Sequence, residues 1–424
     1  MSQDVKVEII TIGDEILYGQ IVDTNSQWIS AELDKAGLRT IHKTTIADTE
    51  EAILAAFAAA ESRADVILTT GGLGPTNDDL TKPCMAQYFG CDMAMHEQAL
   101  EDVRTLFEKR GYELTERNRQ QAVLPLCCTY VPNRLGTAPC MRFDRNDKLW
   151  FAMPGVPFEM KALITEQVIP QILEFFHPPT ILHRLIKTAG IGESWIADQI
   201  KDWEEALPPH IKLAYLPSFG QVRLRLTASG KDEGQLKADT QTEIDKVVPM
   251  IQKHVYGFDD DQLESVIGRL CVAQGKTIAT AESCTGGYLA HKITKIAGSS
   301  AYYQGSVIAY ANAVKVNELG VQEETLNTVG AVSEETVTQM AEGIRKKYGT
   351  SIGLATSGIA GPDGGTPEKP VGTIWIACAD ESGTRTRKLT LARDRMINIE
   401  YTAMAALYMA WQSLKHAAKE TEID

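Results

Sequence analysis

The stretch from residue 7 to residue 72 decides the fold class, because short β-branched runs alternate in it with helical stretches. It reads VEIITIG (7–13), TNSQWISAELDKAG (24–37), RTIHKTTIA (39–47), EEAILAAFAAAESR (50–63) and DVILTTGG (65–72). The first, third and fifth segments are typical of strands, whereas the second and fourth space their apolar residues as a helix does. Strands that alternate with helices predict a parallel sheet covered by helices, and so an α/β fold.

The rest of the sequence predicts two further domains. Between about 180 and 255 we expect a small α+β linker domain, in which QVRLRLTA (221–228) alternates as a half-buried strand does. An acidic, flexible segment is expected at 257–261. A second βα series follows it and ends in a long helix from about 394 to 416. The predicted domains are 1–175, 176–256 and 257–424.

Composition and charge argue against several classes of protein. The chain has 424 residues, of which 42 are Lys or Arg and 56 are Asp or Glu, so its net charge is -14. Because it also lacks a long basic run, we expect no direct nucleic-acid binding. No apolar stretch reaches the roughly 18 residues of a membrane span. The start, MSQDVKVEII, lacks the features of a secretory signal, so we expect a cytoplasmic protein without membrane contact.

The cysteines and histidines form no metal-binding pattern. Neither a CxxC pair nor an HExxH motif occurs, so we expect no zinc site. The cysteines are too sparse for a secreted disulfide framework, so we expect reduced thiols. They are Cys84, Cys91, Cys127, Cys128, Cys140, Cys271, Cys284 and Cys378.

The segment TIATAESCTGG (277–287), followed by YLAHKITKIAG, reads as a strand, a tight turn and a helix. This pattern predicts that Ser283 lies at the start of the helix, where unpaired backbone N–H groups can hold an oxyanion or a phosphate. Gly286 and Gly287 let a ligand approach the backbone closely. The alternative is that Ser283 or Thr285 only caps the helix, and spacing alone does not decide between the two.

A serine nucleophile needs a base, and the sequence offers few candidates. His291 lies about two helical turns past Ser283 and His416 lies in the last helix, so a Ser/His/Asp triad is poorly supported. Tyr310 and Lys315, in YANAVK, come where a predicted strand ends and a helix begins. A lysine with a depressed pKa can act as a base and a tyrosine can relay the proton. That Lys315 is an ordinary surface lysine stays the alternative.

A second glycine-rich loop, TSGIAGPDGG (356–365), follows another predicted strand. Open parallel sheets bind ligands beyond the carboxyl ends of their strands, so we expect this loop at the same edge as Ser283. Arg393 and Arg395, before the last helix, are candidates for holding an anionic substrate group. A solvated surface charge is the alternative for both.

Four segments, AESCTGG, YANAVK, GAVSEE and TSGIAGPDGG, together resemble the C-terminal domain of the CinA family, which is similar to the nicotinamide mononucleotide deamidases. The resemblance covers about 255–415. It implies hydrolysis of the carboxamide of nicotinamide mononucleotide to nicotinate mononucleotide and ammonia, with no cofactor. Ser283 would be the nucleophile, Lys315 the base and Tyr310 its relay.

The same resemblance assigns residues to the substrate pocket. Those beside Ser283 and those in the second loop would form its walls and the oxyanion site, and an arginine would meet the nucleotide phosphate. The implied set is Glu282, Cys284, Thr285, Gly286, Gly287, Thr356, Ser357, Gly358, Gly361 and Arg395.

The N-terminal part carries its own glycine-rich segments, GDEILYG (13–19), TTGGLGPTNDD (69–79) and MPGVPFEM (153–160). The second, which ends a strand, offers backbone N–H groups for a phosphate. Together the segments resemble the molybdopterin-binding fold of the CinA family's N-terminal domain. This implies a pterin-like or nucleotide ligand and, in some members, a metal-dependent pyrophosphatase acting on ADP-ribose. The implied ligand set is Asp14, Glu15, Asn25, Gly71, Gly72, Gly74, Thr76, Asp78 and Asp79, with Asp78 and Asp79 as ligands of a divalent metal.

Two points about this N-terminal site stay open. Asp78 and Asp79 could instead cap the helix that follows them. Cys140 stands where the family's PN…GTAPG segment ends in glycine, so its side chain could narrow the pocket. The pyrophosphatase activity is therefore less secure than the amidase activity.

The middle segments GIGES (190–194) and YLPSFGQVRLRL (215–226) resemble the KH-like domain of the CinA family. Because the nearby segment DWEEALPP is acidic, we interpret this domain as a spacer or dimerisation element in a homodimer. Three functions follow as candidates. They are the amidase, a pyrophosphohydrolase in the N-terminal domain with a regulatory C-terminal domain, and a non-catalytic partner protein in competence or DNA repair.

Overall fold

The computed structural model describes residues 5–76, 79–109, 111–218, 220–391 and 394–421, with side chains up to residue 415. These residues form two compact units. The first ends at residue 182 and the second begins at 183, apart from residues 228–237, which group with the first. The α/β prediction is confirmed. Among the described helices, none combines the length and the apolarity that a membrane span requires.

The first unit contains eight strands and eight helices among its described residues. Its strands are β1 (Lys6–Ile12), β2 (Arg39–Ile46), β3 (Val66–Thr70), β4 (Met93–Met95), β5 (Val123–Pro125), β6 (Thr129–Val131), β7 (Cys140–Arg145) and β8 (Lys148–Met153). Its helices are α1 (Asp14–Leu17), α2 (Thr24–Lys35), α3 (Glu50–Arg63), α4 (Thr81–Phe89), α5 (Glu97–Lys109), α6 (Glu116–Arg119), α7 (Pro157–Leu163) and α8 (Ile169–Phe176).

Six of these strands form one sheet in the order β2, β1, β3, β8, β7, β6. The first four are parallel, as the alternating sequence predicts, whereas β7 pairs antiparallel with β8 and β6 pairs antiparallel with β7. The antiparallel pair arises because Asn146 and Asp147, with φ of 53° and 58°, make a two-residue turn between β7 and β8. Such a turn joins strands into a hairpin and leaves no room for a crossover helix.

Helices cover both faces of this sheet, because β1 contributes to two hydrophobic clusters. Val7 and Ile9 belong to the cluster that includes α2, and Ile10 and Ile12 to the cluster that includes α3 and α4. On the second face Phe57 packs edge-on against Trp150, with ring centroids 5.7 Å apart. The sheet is therefore sandwiched between helices.

One disulfide corrects the expectation that all thiols are reduced. Cys91 and Cys127 are bonded to each other. They meet because β4 and β5 pair antiparallel, with Met93 opposite Pro125, which brings the residues flanking this short ladder together. Sequence spacing did not reveal the pairing, since 36 residues separate the two cysteines.

The middle domain has a four-stranded sheet with two helices. Its elements are β9 (Thr180–Ala189), α9 (Glu193–Glu205), β10 (Ile211–Ser218), β11 (Gln221–Gly230), α10 (Glu233–Ile251) and β12 (Val255–Phe258). The strand order is β10, β11, β9, β12. The sequence predicted only β10 and β11 of these strands, so the α+β class is confirmed with two more strands than expected.

The acidic segment at 257–261 is ordered, which corrects the expectation of flexibility. Asp261 accepts a hydrogen bond from the Phe258 N–H at 2.9 Å and pairs with Arg269 at 2.6 Å. Asp259 pairs with Arg184 at 2.9 Å. The acidic side chains therefore hold a tight turn between β12 and the next helix.

The C-terminal domain has a five-stranded sheet among its described residues. Its strands are β13 (Ile278–Glu282), β14 (Tyr303–Ile308), β15 (Ile352–Gly358), β16 (Thr373–Asp380) and β17 (Gly383–Thr390). Its helices are α11 (Leu263–Gln274), α12 (Tyr288–Thr294), α13 (Asn312–Leu319), α14 (Glu323–Thr328), α15 (Glu334–Tyr348) and α16 (Arg395–Thr421).

The strand order in this sheet is β14, β13, β15, β16, β17. The first three strands are parallel, whereas β16 pairs antiparallel with β15 and β17 pairs antiparallel with β16. One face packs against α15, and the other against α11, α12 and α16, whose residues from Ala403 to Leu414 supply much of the larger cluster. The parallel strands therefore bring three carboxyl ends to one edge.

Phe57→Ala should destabilise the first unit, because the ring is fully buried and the surrounding rings cannot close the cavity. We expect the opening free energy of β8 to fall by about 3–5 kcal/mol, measured by amide hydrogen exchange. Phe158→Ala, at a side chain that is 58% exposed, is the control and should change it little. An unchanged exchange rate in Phe57→Ala would contradict this packing.

Candidate active site

The candidate site lies at the carboxyl edge of the C-terminal sheet. In the parallel register Glu282, the last residue of β13, pairs with Ile308 on one side and with Thr356 on the other. The residues that follow these positions therefore start from neighbouring points. This places the loops carrying Ser283, Tyr310 and the second glycine-rich segment at one edge, as the sequence predicted.

Ser283 follows β13 directly, and its backbone N–H donates to the Thr356 carbonyl at 2.9 Å. The helix α12 begins five residues later, at Tyr288, so Ser283 is not at its first turn. The intervening turn needs Gly286 and Gly287, whose φ angles are 58° and 100°. The Ser283 Oγ makes no hydrogen bond to another described residue, which leaves the hydroxyl available for chemistry.

The Glu282 carboxylate lies at the start of helix α12, where the sequence analysis expected an oxyanion or a phosphate to bind. Its carboxylate is fully buried and accepts hydrogen bonds from the N–H groups of Gly287 (3.0 Å), Leu289 (3.0 Å) and Ala290 (2.8 Å). The expectation of a free anion site at this helix end is therefore wrong. A buried carboxylate is stable there because it satisfies the unpaired donors and complements the helix dipole.

Thr285 ties the loop to the neighbouring strand. Its Oγ1 donates to Glu282 Oε2 at 2.7 Å and lies 2.8 Å from Thr356 Oγ1. Its side chain is thus buried and does not cap α12, which has Gly287 at its N-cap. The Thr285 N–H has no acceptor among the described residues, so it remains a candidate oxyanion donor.

Lys315 is buried at the start of α13, with only 1% of its surface exposed. Its Nζ donates to the carbonyls of Ala309 at 2.8 Å and Tyr310 at 3.2 Å. Burial lowers the pKa of Lys315, and the charge of a Cys284 thiolate would offset part of this effect. Lys315 is therefore not a surface lysine, and it lies near the residue that follows Ser283.

Arg395 and Tyr310 meet at the rim of the site. The Tyr310 side chain is 62% exposed, and Arg395 Nη2 donates to its hydroxyl at 3.3 Å. Arg395 Nη1 also donates to the Gly361 carbonyl at 2.5 Å. Lys315 contacts Tyr310 only through the backbone carbonyl, so the structure shows no hydrogen bond between the lysine and the phenol that was expected to relay its proton.

The second glycine-rich loop is held from below by buried polar side chains. Ser357 Oγ donates to the Ala331 carbonyl at 2.6 Å, and Gly358 packs so closely on Ile374 that a Cβ would lie 2.4 Å from its Cγ1. Ser357 therefore supports the loop from the interior.

Cys284, the residue after Ser283, is buried. Burial raises the pKa of its thiol to about 12.

Asn398 is a residue of this site that the sequence analysis missed. It is fully buried in α16, and its Nδ2 donates to the Ala360 carbonyl at 3.0 Å. The sequence feature that could have pointed to this residue is a single asparagine in a long helix that is rich in apolar residues. Of the other candidates, His291 lies on α12 with an exposed side chain, Arg393 lies outside the described residues, and the side chain of His416 is not described.

The first unit contains a cleft of about 560 Å³ at the carboxyl ends of β1, β3 and β8. Several expected ligand residues line it, while Asp14 and Thr76 do not. Its described lining has no Lys, Arg or His and carries five carboxylates. The expected residues that line it are Glu15, Asn25, Gly71, Gly72, Gly74 and Asp79.

Asp79 closes the glycine-rich loop of this cleft from within. Its carboxylate accepts hydrogen bonds from the N–H groups of Gly74 at 2.7 Å and Thr76 at 3.0 Å. These donors were expected to hold a phosphate, and that expectation is wrong for both of them. Asp79 does not cap α4 either, whose N-cap is Leu80.

A divalent metal does not fit the described part of this cleft. No group of three or more His, Cys, Asp or Glu side chains there could hold a metal ion. Asp78, the second expected metal ligand, lies outside the described residues. We derive no step through a metal.

Cys140 does not narrow the cleft, contrary to expectation. Its side chain is fully buried in the hydrophobic cluster that also includes α2, and it does not line the cleft. Thr137 and Ala138 line the cleft at this place. Cys140 is the first residue of β7, and its side chain belongs to the same apolar cluster as Val131 and Phe151. Burial raises the pKa of its thiol.

Glu282→Gln should loosen the Ser283 loop, because the amide NH2 group would face backbone N–H donors in a buried place. We expect the opening free energy at Gly287 and Leu289 to fall by about 2 kcal/mol, measured by hydrogen exchange. Glu335→Gln, a first-turn carboxylate of α15 that is exposed, is the control and should cost well under about 1 kcal/mol. Equal effects of the two substitutions would refute this role.

Solved structures similar to this chain match part of it. The competence damage-inducible protein A from Klebsiella pneumoniae is 36% identical, with a TM-score of 0.36, and the match covers 36% of this chain and 96% of that one. The CinA protein of unknown function from Thermoplasma acidophilum is 32% identical, with a TM-score of 0.36, over 41% of this chain and 98% of that one.

Family models and full-length relatives together cover most of the chain. The models match a probable molybdopterin binding domain over 8–174, a damage-inducible protein CinA KH domain over 183–257 and a CinA C-terminal domain over 260–414. The CinA-like protein of Cytophaga hutchinsonii is 53% identical, over 98% of this chain and 99% of its own. That of Flavobacterium psychrophilum is 41% identical over 96% and 98%. The chain belongs to the CinA family.

Proposed function

We propose that the chain is an amidohydrolase that converts nicotinamide mononucleotide to nicotinate mononucleotide and ammonia, with Ser283 as nucleophile. The observation that carries this proposal is the buried Lys315 beside the loop of Ser283. Burial lowers the pKa of this lysine, which makes its neutral amine more accessible than that of a solvent-exposed lysine. The Ser283 hydroxyl makes no hydrogen bond to a described residue, so no such bond holds it away from this base.

The hydrogen bonds of Lys315 suit the role of a base. A neutral lysine amine has two N–H bonds and one lone pair. The carbonyls of Ala309 and Tyr310 accept the two N–H bonds, which leaves the lone pair free to accept the proton of the Ser283 hydroxyl. In this arrangement the base is oriented by backbone atoms.

The reaction then takes two steps. The Ser283 Oγ bonds to the carboxamide carbon while its proton passes to Lys315, and the Thr285 N–H stabilises the oxyanion. Such a donor contributes on the order of 3 kcal/mol. Lys315 returns the proton to the leaving nitrogen, so ammonia departs and an acyl-enzyme remains. Water then attacks the acyl carbon, loses a proton to Lys315 and releases the acid, and Ser283 regains its proton.

Arg395 supports an anionic substrate. A guanidinium has five N–H donors, and Arg395 uses two of them on Gly361 and Tyr310. The remaining donors can meet a phosphate at the rim of the site. Tyr310 then serves to hold the arginine at the rim, in addition to the relay that the family resemblance implies.

Ser283→Ala should lower ammonia release from nicotinamide mononucleotide by at least about a thousandfold, because the acyl-enzyme cannot form. Both proteins are assayed in EDTA, so that a metal-dependent reaction makes no contribution. Ser300→Ala, at an exposed serine of the same domain, is the control and should keep full activity. Wild-type protein that releases no ammonia would overturn the proposal for this substrate.

The pH profile tests Lys315 as the base. Because the neutral amine is the active form, kcat/KM should rise with pH and level off below the ordinary lysine pKa of about 10.4. Lys315→Met should abolish this rise together with most of the activity, whereas Lys346→Met, at an exposed lysine of α15, should leave the profile unchanged. The same rise in Lys315→Met would assign it to another group.

A second candidate function is hydrolysis of ADP-ribose in the N-terminal cleft. The cleft, with about 560 Å³, is large enough for part of such a ligand. Its described lining offers no cation for the two phosphates and no group of three metal ligands, which is why we place this function second. An ADP-ribose hydrolysis that stops in EDTA would show that a metal supplies the missing charge. The third candidate, a non-catalytic partner protein, would be favoured by a biological role that survives Ser283→Ala.

A further inference from the structure

A second cleft, of about 450 Å³, lies in the second unit, and none of its lining residues belongs to the amidase site. This volume falls within the roughly 300–1,000 Å³ of small-molecule sites. One wall is the turn after β9, at residues 190–193, and another is the hairpin turn between β10 and β11. The third is one face of α16, with Tyr401, Met404 and Tyr408.

The floor of this cleft is built by a contact that only glycine allows. Gly190 has a φ of 76°, and a Cβ there would lie 2.2 Å from Cζ of Tyr408. The backbone of the turn therefore lies directly on the tyrosine ring. The Gly190 N–H donates to the Gly220 carbonyl at 3.1 Å, which joins the floor to the hairpin turn. The cleft is thus a shaped feature of packed elements.

Flat aromatic side chains flank the opening. Trp195 lines the cleft with 67% of its surface exposed, and its ring lies against Gly192, where a Cβ would be 2.7 Å from Cε3. Tyr401 lies close to Gly220, whose Cβ position is 3.8 Å from its ring. An exposed tryptophan and a tyrosine that line one cleft each offer a face on which a planar ring stacks favourably.

The cleft offers a cationic side chain that can pair with an anionic ligand group. Arg387, on β17, is the only cationic side chain in the described lining, and no hydrogen bond or ion pair joins it to another described residue. The helix α9 also starts at this wall, and no side chain caps its first turn. Glu193 is the single carboxylate of the described lining, so the balance differs from that of the five-carboxylate cleft of the first unit.

We propose that this cleft binds a mononucleotide, whose base stacks on Trp195 and Tyr401 and whose phosphate pairs with Arg387. A mononucleotide has both a planar base and an anionic phosphate, so the aromatic rings and the guanidinium of the lining would each recognise one end of it. The site is separate from the amidase pocket, and its existence does not depend on the amidase proposal.

The test uses AMP as the probe and the full chain carrying Ser283→Ala, so that no turnover occurs. Isothermal titration calorimetry should give a dissociation constant for AMP that rises at least tenfold in Trp195→Ala and at least tenfold in Arg387→Gln. Both side chains are exposed, so neither change should alter folding, which circular dichroism checks. Lys388→Gln is the matched control, because the next residue of a strand points to the opposite face, and it should bind AMP as before.

Fragments of the probe separate the two interactions. Adenosine, which lacks the anion, and ribose 5-phosphate, which lacks the ring, should each bind at least tenfold more weakly than AMP. AMP binding that is absent at millimolar concentration, or that is unchanged in both Trp195→Ala and Arg387→Gln, would overturn the proposal. Tight binding of ribose 5-phosphate would overturn the stacking part, and binding of an oligonucleotide alone would contradict the mononucleotide class.

Discussion

The C-terminal site depends on one buried charge. Glu282 ends the central strand β13 and receives three backbone N–H groups from the start of α12. Without it, these donors would be buried and unpaired, which is costly in an apolar surrounding. The carboxylate therefore fixes the turn between strand and helix. Because Thr285 bonds to both Glu282 and Thr356, the same charge also ties the Ser283 loop to β15.

The N-terminal domain uses the same device on an unrelated loop. Asp79 accepts the N–H groups of Gly74 and Thr76, much as Glu282 accepts those of α12. In both places the glycine-rich sequence is closed by a carboxylate of its own chain. A ligand at the C-terminal site would therefore need other donors, such as the Thr285 N–H or those of Arg395. A glycine-rich turn by itself predicts a tight backbone, and a nearby acidic residue decides what the backbone binds.

Much of the fold follows from local sequence patterns. The helices α2 and α3 and the strands β1, β2 and β3 lie where apolar spacing places them, and parallel pairing explains why three predicted loops meet at one edge. The antiparallel strands β7 and β17 were not predicted, because a hairpin is decided by a short turn and by which strand has a free edge. The pairing of Cys91 with Cys127 depends on the β4–β5 ladder in the same way.

The details of the site lie beyond periodicity. Glu282 faces the start of α12 because Gly286 and Gly287, with their positive φ angles, turn the chain back over its carboxylate. The burial of Lys315 depends on the packing of α13, and the contact of Asn398 with Ala360 joins residues 38 positions apart. Such features become visible only when the elements are assembled.

The helix α16 gives the C-terminal domain a particular order of assembly during synthesis. Its first turns hold the second glycine-rich loop through Arg395 and Asn398, and its middle supplies a large share of the apolar core from Ala403 to Leu414. These residues follow all five strands of the sheet in the chain, so they are translated after them. The sheet face that α16 packs on therefore stays partly uncovered while this helix is being made, and a chain that stops before Arg395 leaves apolar surface for chaperones to shield.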